Sequence, residues 1–238
     1  MKKKNYTSMR SGLMEAGIFE PSIKGKAEIK FIEDIWPDIF KNSVVLSGLE
    51  YHRGAVRYDE IVFLSSISKY LNPKKIFEFG TCRGRTTTNL AVNSEGLEKL
   101  FTLNLDPDIS ANDIDWLEQD YNLYEETKNA TGILFKNSAA CEKIVQLWGD
   151  SKEFDFSRFS NIDLVFIDAS KNYEYVYSDS KNAFNMLSKN GIVIWHDYNY
   201  ADGVTKAVDD FAMDYNIKVY NIYKTTLAVT LNVTEVWR

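Results

Sequence analysis

Short apolar runs alternate with segments of helical periodicity along most of this chain. The runs have the length of buried strands and lie at residues 76–79, 100–105, 143–148, 162–168 and 192–195. Segments with apolar positions at helical spacing separate them, and the first, at residues 58–71, is ended by Asn72 and Pro73. Strands that alternate with helices predict a parallel sheet with helices on both faces.

The C-terminal part departs from this alternation. After an amphipathic helix at residues 203–215, residues 217–222 and 227–231 read as two strands joined by a short turn. This pattern predicts a hairpin that closes an otherwise parallel sheet. Upstream, the polar helical segment 111–129 is followed by two candidate strands. We prefer 143–148 to 133–135 because the turn cluster Gly149-Asp150-Ser151 follows it.

Residues 1–56 carry little periodic signal beyond one candidate helix at residues 29–39. We therefore predict two regions, an N-terminal extension over residues 1–56 and a single α/β domain over residues 57–238. The extension would act as a lid over a ligand site or as the arm of a homodimer, and simple packing or disorder is the alternative.

Composition narrows the class of protein. The chain has 238 residues, 45% of them hydrophobic and 26% charged, which is typical of a soluble globular protein. A net charge of -6 argues against a general binder of nucleic acid or of membrane surfaces. Cys82 and Cys141 are its two cysteines, so we expect no disulfide framework and a reducing compartment. No apolar run approaches the ~20 residues of a membrane span. We predict a cytoplasmic protein.

A glycine turn follows the strand at residues 76–79, with Gly80 and Gly84 ahead of a helix that begins at Thr86. Glycine lacks a Cβ atom, so backbone can come close to a ligand, and the free N–H groups of the helix start face it. The spacing matches neither the dinucleotide nor the phosphate-loop motif, and the acidic Glu78 disfavours a phosphate. An ordinary strand-to-helix turn remains the alternative.

Polar residues also follow the later strands. Asp106 comes after the second strand, Asp168 after the fourth, and His196 and Asp197 after the fifth. Because the carboxyl ends of parallel strands meet at one edge of a sheet, we expect these groups to share a crevice. A carboxylate there can accept from both hydroxyls of a ribose, although Asp106-Pro107 is also ordinary turn chemistry.

Several motifs resemble known methyltransferases. The stretch E-F-G-T-x-x-G-x-T-T at residues 78–87 resembles the first motif of class I S-adenosylmethionine-dependent methyltransferases. The later stretches D-L-V-F-I-D-A-S-K-N-Y-E-Y-V, N-G-I-V-I-W-H-D-Y and G-V-T-K-A-V-D-D-F resemble a bacterial subgroup with F-I-D-G-S-H-S-Y-E and W-H-D-Y motifs. The resemblance runs from about Gly54 to Asn232. It implies a doubly wound, Rossmann-like sheet of seven strands, mostly parallel with the last strand antiparallel.

The resemblance implies S-adenosylmethionine as the cofactor. The residues that it assigns to the cofactor are Glu78, Gly80, Thr81, Gly84, Thr86, Asn104, Asp106, Asp150, Ser151 and Asp168. The family most often has an acid at the position of Asn104, so the contact with the ribose is divided between Asn104 and Asp106. Asp150, with Ser151 beside it, is a candidate acceptor for the adenine amino group, and a plain surface turn is the alternative.

The resemblance also implies catalytic and metal-binding residues. Lys171 replaces the histidine of the subgroup, and a lysine at this place is the general base of the related catechol O-methyltransferase group. The carboxylates that bind a divalent metal there match Asp168 and Asp197, so Mg²⁺ or a similar cation is expected at these two residues. The third ligand of that group, an asparagine, is Tyr198 here, and Asn199 or His196 could replace it.

Without a metal, His196 is the better base near neutral pH. The candidate catalytic residues are therefore Lys171, His196 and Asp168, and each also has a purely structural interpretation. We predict a methyltransferase that acts by in-line transfer on a hydroxyl of a small molecule or sugar. The alternative is a regulatory or partner subunit that binds the cofactor without turnover. A nicotinamide dehydrogenase is disfavoured because the G-x-G-x-x-G motif is missing.

Overall fold

The computed structural model describes residues 24–50, 52–109, 114 and 116–231. Its helices are α1 (Ile32–Ile35), α2 (Tyr58–Leu71), α3 (Arg85–Val92), α4 (Glu118–Thr127), α5 (Ile133–Lys136), α6 (Tyr173–Met186) and α7 (Asp202–Asp214). Its strands are β1 (Glu28–Lys30), β2 (Lys75–Phe79), β3 (Lys99–Asn104), β4 (Ile144–Trp148), β5 (Ile162–Ile167), β6 (Leu187–Trp195), β7 (Val219–Ile222) and β8 (Ala228–Thr230). None of the helices among these residues is long and apolar enough to cross a membrane.

All eight strands form one sheet in the order β1-β7-β8-β6-β5-β2-β3-β4. Strand β8 is antiparallel to both of its neighbours, and every other neighbouring pair is parallel. The mostly parallel, doubly wound sheet with an antiparallel last strand is therefore confirmed. The chain turns back between β2 and β5, and this reversal opens a crevice at the carboxyl ends of these strands.

The predicted number of seven strands is wrong. The additional strand is β1, which pairs in parallel with β7, from Glu28 opposite Tyr220 to Lys30 opposite Ile222. It has three residues, which is too short for a period-two pattern to be recognised in the sequence. The predicted helix at residues 29–39 is accordingly a strand followed by the four-residue helix α1.

Apolar side chains cover both faces of the sheet. On one face the buried residues include Ile61 and Leu64 of α2 and Leu90 of α3, and on the other they include Phe184 of α6 and Phe211 of α7. Central strands buried on both faces carry continuous apolar runs, which explains why the pattern predicts them well.

The described part of the N-terminal extension is fixed to the C-terminal half of the chain. The N–H of Gly25 donates to Asn199 Oδ1 at 2.6 Å, and the N–H of Ala27 donates to Tyr198 Oη at 2.8 Å. These contacts add the extension to the edge of the sheet. Residues 1–23 lie outside the described residues, and a lid or a dimer arm stays a prediction.

Candidate active site

The glycine turn joins β2 to α3 and requires glycine at two positions. Gly80 has a φ of +93°, and a Cβ atom there would lie 2.2 Å from the carbonyl oxygen of Asp168. Gly84 has a φ of +83°, and its Cβ would lie 2.8 Å from the ring of Phe135. The β2 and β5 ends therefore approach each other more closely than any side chain at Gly80 would allow.

A cavity of about 510 Å³ opens at this edge of the sheet. Of the residues predicted to bind the cofactor, Gly80, Asn104, Asp150, Ser151 and Asp168 line it. The candidate catalytic residues Lys171 and His196 and the metal candidate Asp197 line it as well. The residues that do not line this cavity are Glu78, Thr81, Gly84, Thr86 and Asp106. The structure thus brings the carboxyl ends of five strands, β2 to β6, around one space.

Asn104 braces the glycine turn from the neighbouring strand. Its Oδ1 atom accepts hydrogen bonds from the N–H groups of Thr81 at 3.1 Å and Cys82 at 3.3 Å. Asp106 lies in the following turn, where its Oδ1 atom accepts from the N–H of Asp108 at 2.9 Å. Of the two candidates for a ribose contact, only Asn104 borders the cavity among the described residues.

Glu78 lies beneath the turn, inside the sheet. Its carboxyl group is fully buried and accepts hydrogen bonds from the hydroxyls of Thr87 and Thr102. Burial raises the pKa of Glu78 to about 8. The Thr102 hydroxyl also pairs with the Thr81 hydroxyl at 2.7 Å, so Glu78 supports the turn through these threonines.

The raised pKa of Glu78 predicts a pH-dependent stability. Between pH 4.5 and about 8 the folded protein keeps a proton that the unfolded chain has lost, so the free energy of unfolding falls as pH rises. Glu78→Gln mimics the protonated acid, so this variant should not show the fall in unfolding free energy that Glu78 causes. In denaturant titrations we expect the free energy of unfolding of Glu78→Gln, relative to that of the wild type, to rise by up to about 4 kcal/mol between pH 5 and pH 8. If the two proteins differ in unfolding free energy by the same amount at pH 5 and at pH 8, the pKa of Glu78 is not raised in the folded protein.

The turn after the edge strand β4 lines one end of the cavity. Asp150 Oδ2 accepts from the hydroxyl of Tyr175 at 2.9 Å, and its Oδ1 accepts from the N–H of Lys152 at 3.0 Å. Ser151 is buried beside it, above Asp179, whose pKa burial raises to about 7. Asp150 is therefore held in place on the cavity wall, with Ser151 buried beside it, and their contact with adenine stays a prediction.

A cluster of charged residues lines the cavity at the ends of β5 and β6. Lys171 Nζ lies 2.7 Å from Asp197 Oδ2, and His196 Nδ1 lies 3.0 Å from Asp168 Oδ1 and 3.4 Å from Asp197 Oδ1. The second ring nitrogen of His196, Nε2, lies 3.2 Å from Oε2 of Glu60. Two cations and three carboxylates thus share one small region.

The charges in this cluster shift one another's pKa values. Burial lowers the pKa of Lys171, but the charges of Asp197 and Asp168 outweigh it and raise this pKa above the ordinary value. The same two carboxylates raise the pKa of His196 well above 6.5 against the effect of its burial. Burial raises the pKa of Glu60, while hydrogen bonds and the charge of His196 lower it to about 2 overall. Without a ligand, both candidate bases are therefore held as cations.

The residues suit a divalent cation in kind. Asp168, His196 and Asp197 each offer a ligand atom, and these atoms lie within 4.8 Å of one another. Tyr198 turns away and donates its hydroxyl proton to Asp209 at 2.7 Å, and Asn199 bonds Gly25 and Asn221 instead. A metal would have to displace the contacts that Lys171 and His196 make with the two carboxylates, and its binding stays a prediction.

Sequence reasoning missed Glu60 and Thr226, which both line the cavity. Glu60 lies in the first turn of α2, where an acid is ordinarily explained by the helix dipole. Thr226 lies in the connection between β7 and β8. Neither residue belongs to a motif, and the contacts of Glu60 reach residues 136 and 166 positions away.

The chain has a Rossmann-like fold with a cavity at the switch point of its sheet. A family profile described as "Methyltransferase domain" matches residues 77–198, more than half of the chain. The chain belongs to this methyltransferase family. No curated protein sequence matches it at the significance required of a relative.

Solved structures share the fold at low sequence identity. One is the SAM complex of the O-methyltransferase TomG from Streptomyces achromogenes, with a TM-score of 0.55 and 12% identity over 98% of this chain and 99% of that one. The SAH-bound methyltransferase PaMTH1 of Podospora anserina has a TM-score of 0.58 and 14% identity over 97% of each chain. Cofactor-bound Rv0187 from MTB has a TM-score of 0.57 and 13% identity over 98% and 99%. Each of the three alignments covers nearly the whole of both chains.

Proposed function

We propose that this protein is an S-adenosylmethionine-dependent methyltransferase that transfers the methyl group to a hydroxyl of a small molecule or sugar. The observation that carries the proposal is one cavity with the glycine turn at one wall and the Lys171, His196, Asp168 and Asp197 cluster at another. Membership in a methyltransferase family supports it, and so do related structures that hold SAM or SAH.

The residues around the cavity fit this cofactor. Gly80 leaves room for the amino-acid tail to approach the backbone, because a Cβ atom is missing where the β2 and β5 ends meet. Asn104 offers an amide to the ribose, and Asp150 and Ser151 offer oxygens to the adenine. The bound cofactor would supply an electrophilic methyl group on a sulfonium cation.

Of the two candidate bases, we favour Lys171. Both ring nitrogens of His196 face carboxylate oxygens, which only accept, so neither nitrogen has a lone pair to take a proton from the acceptor. Lys171 has one ion pair and a partly exposed amine at the cavity. It must first release its own proton, and positive charge added near it by bound ligands lowers its pKa.

The finer assignments rest on the sequence resemblance. The bacterial subgroup with W-H-D-Y motifs and the link to the catechol O-methyltransferase group make O-methylation the proposed reaction. Mg²⁺ at Asp168 and Asp197 is proposed as an aid that would acidify a bound hydroxyl. The alternative of a subunit without turnover is less favoured, because the cluster keeps its ionisable groups at the wall of the cavity.

Methyl transfer can be measured directly with S-adenosylmethionine labelled in its methyl group. We expect label to enter a simple phenol, a catechol or a monosaccharide, and matched amines to remain unlabelled. Transfer only to amines would contradict O-methylation. Absence of transfer to every acceptor, with the cofactor bound, would favour the regulatory subunit.

Asn104 gives a second prediction with a matched control. Asn104→Ala should weaken S-adenosylhomocysteine binding by roughly 10-fold, since it removes a ribose contact and the brace of the glycine turn. Asn104→Asp keeps the acceptor oxygens and should bind at least as well. Asp106→Ala should leave calorimetric affinity unchanged. Equal affinities for Asn104→Ala and the wild type would exclude Asn104 from the cofactor site.

A further inference from the structure

Glu60 makes long-range contacts at the wall of the cavity but has no part in the chemistry proposed above. Its side chain is fully buried at the wall of the cavity, although it belongs to the first turn of α2. Oε1 accepts from the N–H of Thr226 at 2.6 Å and from the Thr226 hydroxyl at 2.8 Å. Oε2 faces His196 Nε2 at 3.2 Å. A buried carboxylate is retained in a fold only when its partners compensate for lost hydration.

The contacts connect Glu60 to the charged cluster by two routes. One runs through the imidazole ring of His196 to Asp168, 3.0 Å from Nδ1. The other runs through Thr226, whose hydroxyl accepts from the N–H of Asp197 at 3.3 Å. Helix α2, the end of β6 and the β7–β8 connection are thereby joined at one carboxylate.

Carboxylates contact both ring nitrogens of His196. The groups that face His196 are Glu60 at Nε2 and Asp168 and Asp197 at Nδ1. The ring therefore cannot flip or rotate without losing a partner on one side. His196 in turn holds Asp168 at the cavity wall.

We propose that Glu60 is a positioning residue for methyl transfer: through its contacts with His196 and Thr226 it holds the His196 ring in place, so that Asp168 and Asp197 keep a fixed orientation beside Lys171. This role rests on the proposed function for its catalytic consequence. The orientation itself is a property of the protein alone. Glu60 therefore acts through His196 and not on the acceptor.

Glu60→Gln and Glu60→Ala test this proposal. In Glu60→Gln the amide oxygen can still accept from Thr226, but its NH₂ group would face His196 Nε2 in place of a carboxylate oxygen. Glu60→Ala removes both contacts. Glu95→Gln is the matched control, since the side chain of Glu95 is 80% exposed and pairs only with Lys69 among the described residues.

The main readout is the ¹⁵N spectrum of histidine-labelled full-length protein at neutral pH. The chain has two histidines, so His52→Gln assigns the signals. We expect the same His196 ¹⁵N signals in the wild type and in Glu95→Gln, and shifted His196 signals in Glu60→Gln and Glu60→Ala. Unchanged His196 signals in a folded Glu60 variant overturn the proposal, and Glu60→Asp, whose shorter side chain withdraws the carboxylate from His196, replaces these variants if neither folds.

Turnover gives the second readout. With the phenol, catechol or monosaccharide that the wild type methylates fastest, Glu60→Gln should lower kcat at least ~30-fold and change KM less than ~3-fold. Unchanged kcat with an altered ring signal would overturn the positioning role. If S-adenosylhomocysteine binds neither wild type nor variants, the proposed function fails, while the ring signal still decides how Glu60 holds His196.

Discussion

Gly80→Ala is expected to abolish measurable binding of S-adenosylhomocysteine and to destabilise the protein. The added Cβ atom would lie 2.2 Å from the carbonyl oxygen of Asp168 and 2.9 Å from the Cα atom of Ala169. These are backbone atoms at the end of β5, and they cannot rotate away as a side chain could. The φ of +93° adds about 1–2 kcal/mol of strain for any residue with a Cβ atom.

Relief of this clash would separate β2 from β5 at the point where the proposed cofactor tail approaches the backbone. Calorimetry and thermal unfolding measure the two effects separately. Gly96→Ala is the matched control, because its Cβ would meet only the flexible side chain of Asn72, at 3.0 Å. If Gly80→Ala binds S-adenosylhomocysteine with the affinity of the wild type, the glycine turn does not contact the cofactor.

Lys171→Met is expected to lower kcat by ~10²-fold or more, while affinity for S-adenosylhomocysteine changes only a few-fold. Methionine keeps most of the length of the side chain but cannot take a proton, and general bases contribute typically 10²–10⁴-fold. Steady-state rates of methyl transfer, with calorimetric affinities for the same preparations, measure the two quantities.

Lys171→Arg separates a base from a fixed charge. Arginine keeps the ion pair with Asp197 but does not deprotonate, so this variant should be as inactive as Lys171→Met. Because Asp197 and Asp168 raise the pKa of Lys171, the active, deprotonated form is scarce at neutral pH, and wild-type kcat should rise with pH into the alkaline range. Full activity in Lys171→Arg, or a rate independent of pH, would contradict the role of Lys171 as base.

The sequence was most informative where the physical cause is local. Central parallel strands such as β2 and β5 are buried on both faces and so appear as apolar runs. Gly80 was recognisable because a tight turn excludes other residues. The sequence does not show in which direction a side chain points. Tyr198 points into the core, while the preceding Asp197, with a φ of +60°, faces the cavity.

Long-range contacts account for what sequence reasoning missed. Glu60 approaches His196 only because α2 and β6 meet in the folded chain, and no periodicity records this meeting. The choice between Asn104 and Asp106 also depended on folded geometry. Asn104 ends β3 beside the glycine turn, whereas Asp106 closes a turn of its own with Asp108.

Calorimetric titration of metal-stripped protein with S-adenosylhomocysteine tests most directly whether the cavity beside Gly80 is a cofactor site. We predict micromolar binding without any metal, since the residues that line the proposed cofactor end need none. Repetition with Mg²⁺ and a catechol would then reveal any metal site at Asp168 and Asp197. No binding of S-adenosylhomocysteine under either condition would contradict the proposed function.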